Sequence, residues 1–219
     1  MLPTLLGTAL ALSAAQADGG QFAVLDCITK SAEERPIARS RSWITVLEIE
    51  QECAPDGGSA LQPIMEGVDA QSPGLKASAQ EKESVLRALL RVAAANAFIQ
   101  RLEAGERPAG LNEGSFDQPV VSFAQCVSFA TLKLLDNQIR GIGPDWDIER
   151  MRAGDMDGAA ANEARKACPI TERKLHSSPQ EEIESFGFSD RDEFVAAVAL
   201  TGSSDVLRLI FPKEEGQAK

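Results

Sequence analysis

Four cysteines, Cys27, Cys53, Cys126 and Cys168, are the residues here whose type and spacing promise the most chemistry. None forms the short C-x-x-C pair that a zinc knuckle or a redox dithiol uses, so metal-thiolate and thiol-exchange chemistry are poorly served. Their surroundings echo one another instead: Asp26-Cys27-Ile28-Thr29 is matched by Gln125-Cys126-Val127-Ser128, and Cys53-Ala54-Pro55 by Cys168-Pro169. Two antiparallel helical arms of equal length bring their far ends to the same level. Cys126 and Cys168 each stand about 13 residues from the loop such a hairpin would have, or about 20 Å of helix per arm. The same holds less neatly for Cys27 and Cys53 around Pro36. We therefore expect the disulfides Cys27–Cys53 and Cys126–Cys168. Closing those loops in the unfolded chain corresponds to about 3.5 and 4 kcal/mol respectively.

Disulfides persist in oxidising compartments, and the start of the chain fits that expectation. Leu2, Leu5, Leu6, Ala9, Leu10, Ala11 and Leu12 follow one another without a charged side chain, up to a small-x-small ending at Ala15-Gln16-Ala17. This reads as a signal peptide over 1–17, cleaved near Ala17 to leave Asp18 first, with a periplasmic or extracellular destination. Beyond it no apolar run approaches the roughly 18 residues of a membrane span, and none is expected. A formal net charge of −11 opposes nucleic acid, whose phosphates need a cationic stripe.

Other motifs offer less. The single histidine, His176, sits in a polar run with no nucleophile motif near it and reads as a surface residue. Asp155-Met156-Asp157-Gly158 has the alternating carboxylates and glycine of a calcium loop. With Gly158 at the sixth position, however, Ala164 falls where the acidic final ligand belongs, so no metal and no cofactor are expected. Ile183-Glu184-Ser185-Phe186 resembles the catalytic glutamate segment of the lytic transglycosylase family, in which a glutamate at a helix end, followed by serine, is the general acid. The resemblance implies cell-wall glycan cleavage with Glu184 as the acid. The Gly-Leu-Met-Gln segment that follows in that family is missing, and the chain has no tyrosine to line a sugar cleft. Neighbouring Glu181 and Glu182 suggest a solvated face and not the buried, proton-holding acid that such work needs. Trp43 reads as core. Trp146, between Asp145 and Asp147 in a Gly-Pro loop, is the better recognition candidate, because an aromatic flanked by charges on a loop can anchor a partner.

The elements that position these residues read as helices. Phe22, Leu25, Ile28 and Ala32 are helix-spaced over about 20–34 and stop before Pro36. A second helix is expected from about Trp43 to Cys53, although Val46-Leu47-Glu48-Ile49-Glu50 also alternates like a strand, and a short helical turn is expected around 61–68. Ser78 and Glu81 form an S-x-x-E capping box that opens a long central helix, with a stripe of Leu86, Leu89, Leu90, Ala93, Ala97 and Leu102 ending at Gly105. Pro119 begins another, through Phe123, Val127 and Leu134. Asp155 caps an alanine-rich helix that Pro169 ends, Ser178 forms a second capping box with Glu181, and Ser189 caps a helix to Gly202. Val206 to Phe211 is a short helix or a strand.

The expected fold is all-α: an exported bundle of about six to eight helices with two disulfide-stapled hairpins. Its segments are a signal peptide (1–17), an N-terminal bracketed hairpin and loop (18–75), a helical core with the second bracket (76–212) and a tail (213–219). The expected function is that of a non-enzymatic helical protein that binds a protein or envelope partner through an acidic surface between Gly141 and Asp157. The alternatives are a carboxylate-dependent cell-wall glycan hydrolase using Glu184, or an inhibitor or immunity-type protein that blocks a basic active site.

Overall fold

The computed structural model describes residues 20–55, 59–71, 77–139, 141, 150 and 156–211. Among these the chain is helical and contains no strand. Residues 1–17, expected to be a signal peptide, and the expected tail at 213–219 lie outside the described residues. Helix α1 spans Gly20–Glu34 and α2 Ile44–Cys53. Helix α3, Gln62–Gln71, is longer than the single turn expected there. The long α4, Ala79–Glu103, and α5, Asp117–Ile139, form the central pair. They are followed by α6 (Asp157–Ala164), a 3₁₀ turn (Arg165–Ala167), α7 (Pro169–His176), α8 (Gln180–Ser185) and α9 (Arg191–Ile210).

Local chemistry explains several boundaries. The capping box at Ser78 forms in full: its hydroxyl accepts from the Glu81 amide, and the Glu81 carboxylate accepts from the Ser78 amide at 2.7 Å. At the other end of α4, the Gly105 amide donates to the Leu102 carbonyl and the Glu106 amide to Arg101. Gly105 has φ +100°, the left-handed closing turn that glycine adopts without strain.

Elsewhere the expected boundaries shift. Pro169 ends one helix and is also the first residue of α7, whose last residue is His176. A proline at the first position loses no helical hydrogen bond. The capping box expected at Ser178 does not form, because Pro179 occupies the N-cap and leaves Ser178 one residue too early; its buried hydroxyl has no partner. Helix α9 is capped by Asp190, which accepts from the Glu193 amide at 2.8 Å, and not by Ser189. Helix α5 starts at Asp117, two positions before Pro119, which the first turn tolerates. Asp155, the expected cap of α6, lies outside the described residues.

Gly202 does not terminate α9, which runs on to Ile210 and absorbs the segment read as a helix or strand. The reason is tertiary. At Gly202, α9 crosses α5 so closely that a Cβ would collide with the Ala124 carbonyl oxygen. The Ser128 hydroxyl donates to the Gly202 carbonyl at 2.8 Å across the same crossing.

One contiguous core draws on both bracketed regions, with Ile28 of α1, Val46 of α2, Phe98 of α4, Phe129 of α5, Leu175 of α7 and Phe194 of α9. Phe98 and Phe129 stack with centroids 4.8 Å apart and rings 4° from parallel. Each buried side chain of this size contributes about 1.5–3 kcal/mol through removal of its surface from water. The buried faces differ in detail from the simple stripes. In α1 the sealed positions are Val24, Ile28 and Ala32, while Leu25 is exposed. In α4 burial centres on Ala94, Ala95, Phe98 and Leu102, with Leu86, Leu89, Ala93 and Ala97 only half-buried. Helix α4 has neighbours on several sides, α1, α2, α5 and α7 among them, so no single stripe describes it.

Candidate functional site

Both expected disulfides are present, with Cα separations of 5.7 Å for Cys27–Cys53 and 6.0 Å for Cys126–Cys168. The first closes the α1–α2 hairpin. The second departs from the matched-arm geometry: the arm leaving Cys126 is one long helix, but the return is short α6 and a 3₁₀ turn, and Cys168 is the N-cap of α7. Both sulfurs of that pair are sealed, with Cys126 and Cys168 at 0% exposure. The second staple therefore secures the helix-to-helix crossings at α5, α6 and α7. It also brackets the connection from 140 to 156.

That connection carries the candidate recognition residues. Asp145, Trp146, Asp147 and Asp155 lie outside the described residues. Its two ends are defined. Helix α5 runs to Ile139, and Asp157, the first residue of α6, accepts a hydrogen bond from the Ser204 hydroxyl of α9 at 3.3 Å. That carboxylate braces the scaffold.

Glu184, the candidate acid, is exposed on the six-residue α8 and accepts from the Gln180 amide at 3.3 Å. It does not line the cavity described below. His176 is exposed, as expected, and its Nε2 pairs with Asp192 at 2.8 Å. Trp43 is buried in the core, although its indole N–H finds no acceptor. No group of three or more His, Cys, Asp or Glu side chains that could hold a metal ion occurs among the described residues. No helix among them is long and apolar enough to cross a membrane.

The densest charge cluster is one that the linear sequence did not single out. Glu50 of α2, Arg87 and Arg91 of α4 and Asp136 of α5 meet between the two bracketed regions. Arg91 grips Asp136 through Nε at 3.0 Å and a terminal nitrogen at 2.7 Å, and stands 3.5 Å from Glu50. Arg87 pairs with Glu50 and Glu83 and donates to the Ala54 carbonyl at 2.7 Å, past the end of α2. Burial opposes the charged guanidinium of Arg91, but its hydrogen bonds to Asp136 and the nearby carboxylates outweigh that, and its pKa moves up. These carboxylates are acceptors for fixed guanidinium donors, an arrangement that braces helices. The only trace of the cluster in the sequence is Arg87 and Arg91 four residues apart within the apolar middle stretch of the helix.

Two further contacts join helix ends. The Glu103 carboxylate accepts from the Ile170 and Thr171 amides at 2.7 and 2.8 Å, which satisfies the N-terminus of α7. The Arg101 guanidinium donates to the Ala32 carbonyl and, at 2.8 Å, to that of Arg35 at the end of α1, and it also grips Glu106.

Between the end of α4, the start of α5 and α7 lies a half-open cavity of about 250 Å³. Leu102 and Pro119 supply apolar wall, and Gln118, Ser122 and Lys174 supply polar groups. A Cβ at Gly105 would lie 3.4 Å from the Lys174 Nζ, so the glycine gives the ammonium room at the cavity wall. None of these residues was singled out for function in the sequence; Gly105 was legible only as a helix stop. Compared with family models, curated proteins and solved structures, the chain matches none.

Proposed function

We propose that the protein is exported behind a signal peptide at 1–17 and acts as a non-enzymatic binding protein, meeting a protein or envelope component through the 141–157 segment. The observation that carries this reading is the bracing on either side of that segment. Helices α5 and α6 pack on each other, the Cys126–Cys168 bond ties α5 to the start of α7, and Asp157 is fastened to α9. Connections held at both ends by a rigid scaffold are favoured places for recognition residues. This one carries Asp145, Asp147, Glu149 and Asp155 against Arg150 and Arg152, with Trp146 among them. Such a surface suits a basic partner, including the basic active site of an enzyme that the protein would block.

The rival hydrolase reading needs its acid at the floor of a concave apolar site. Glu184 stands exposed on α8, which favours binding over glycan cleavage. Two measurements test the reading. The exported chain should begin at Asp18, as read by N-terminal sequencing. Capture from envelope extract at low and moderate salt should be lost on Trp146→Ala combined with Asp145→Asn and Asp147→Asn. Unchanged capture by that variant would reject the segment as the contact surface.

A further inference from the structure

We propose that the α4–α5–α7 cavity is a binding site for a small monocarboxylate with a short apolar tail, held by Lys174. The cavity shares no residue with the 141–157 segment, so this proposal does not rest on the reading above. Three observations combine. First, the polar groups of the cavity are unspent: among the described residues neither the Lys174 ammonium, the Gln118 amide nor the Ser122 hydroxyl has a hydrogen-bond or ion-pair partner. They offer one cation and two neutral donors, enough for the two oxygens of a carboxylate. Second, Leu102 and Pro119 give the cavity an apolar stretch of wall that fits a short hydrocarbon tail. A volume of about 250 Å³ falls below the roughly 300–1,000 Å³ of sites for drug-sized ligands, so the tail is short.

Third, the surroundings select against more highly charged anions. The amides at the start of α7, which could otherwise hold a phosphate, are already occupied by the Glu103 carboxylate. Glu106, also at the cavity wall, has its charge met by Arg101. The single unpaired ammonium of the cavity balances a monoanion and leaves the second charge of a dianion uncompensated. The left-handed turn at Gly105 contributes shape, because a side chain there would crowd Nζ.

The test is titration of the folded, oxidised protein with sodium butyrate, followed by amide chemical shifts. Butyramide, inorganic phosphate and the free acid of N-acetyl-alanyl-valine serve as separate arms. Butyrate or the dipeptide should give saturable shifts at Gly105, Gln118, Ser122 and Thr171, with a Kd of about 1 mM, while butyramide and phosphate give none. The tighter of the two carboxylates would identify the source as a free acid or a peptide C-terminus. Lys174→Met should weaken binding at least about tenfold and Lys174→Arg far less. If Lys174 only braces the end of α4, Lys174→Met will lower the unfolding midpoint yet leave the butyrate shifts intact. That result, or the absence of saturable shifts with both carboxylates, overturns the proposal.

Discussion

Cys27–Cys53 joins two consecutive helices, with Cys27 half-buried. Cys126–Cys168 ties a central helix to the start of another, across a longer separation and with both sulfurs sealed. The echoed phrases around the cysteines hide this difference. The first bracket is a local fastening of a hairpin that rests on α4 through Arg101, Arg87 and Arg91. The second lies within the packing of α5, α6, α7 and α9. Similar covalent links thus serve different levels of structure, and what distinguishes them is the burial around the sulfurs.

Breaking the second bracket should have the largest effect. Cys126→Ala with Cys168→Ala is expected to cost about 5 kcal/mol, the upper end of the range for native disulfides, because packing is lost along with the loop constraint. Urea denaturation checks it, and the matching Cys27→Ala, Cys53→Ala protein should lose measurably less. Next is the charge cluster that links the two regions. Arg91→Met leaves Asp136 buried beside Glu50 without its main partner and should cost about 4 kcal/mol; the same denaturation series reads it. Gly202→Ala forces α9 away from Ala124 and should cost about 2 kcal/mol, seen as a lower thermal midpoint with the α1–α2 hairpin unaffected in near-neighbour amide shifts.

The smallest effect belongs to the cap of α4, the helix that both regions share. Ser78→Ala should cost about 1 kcal/mol, read from the same urea curves. The Ser78 amide and hydroxyl hold the Glu81 carboxyl below its ordinary value of 4.5. A depressed carboxylate pKa contributes stability that is present above the unfolded value and lost as pH falls through the folded one. Stability of the Ser78→Ala protein should therefore fall less steeply with acidification below 4.5 than that of the natural chain.

Features written in contiguous residues were legible in the sequence. The Ser78 and Glu81 box and the Gly105 stop needed only local spacing, and the cysteine pairing followed from spacing although the return to Cys168 is not the single helical arm that suggested it. What was not legible depended on a second segment. Gly202 looks like a terminator until Ala124 of α5 is placed against it. Pro169 reads equally as an end or a beginning, and the Glu103 carboxylate that supports the beginning comes from α4. The Glu50, Arg87, Arg91 and Asp136 cluster combines three helices, and the cavity takes Gln118 and Ser122 from α5 and Lys174 from α7. Ser178 failed as a cap for a local reason, the proline beside it. For the recognition segment the structure supplies the anchors, at Ile139 and Asp157, while Trp146 itself remains a reading of the sequence.

The central claim is that the first bracket fastens a hairpin locally whereas the second is integral to the core. Native-state hydrogen exchange on the two double-alanine proteins tests it most directly. Loss of protection confined to α1 and α2 in Cys27→Ala, Cys53→Ala, and spread over α5, α6, α7 and α9 in Cys126→Ala, Cys168→Ala, is the expected result. Equal, molecule-wide loss in both proteins would contradict the account.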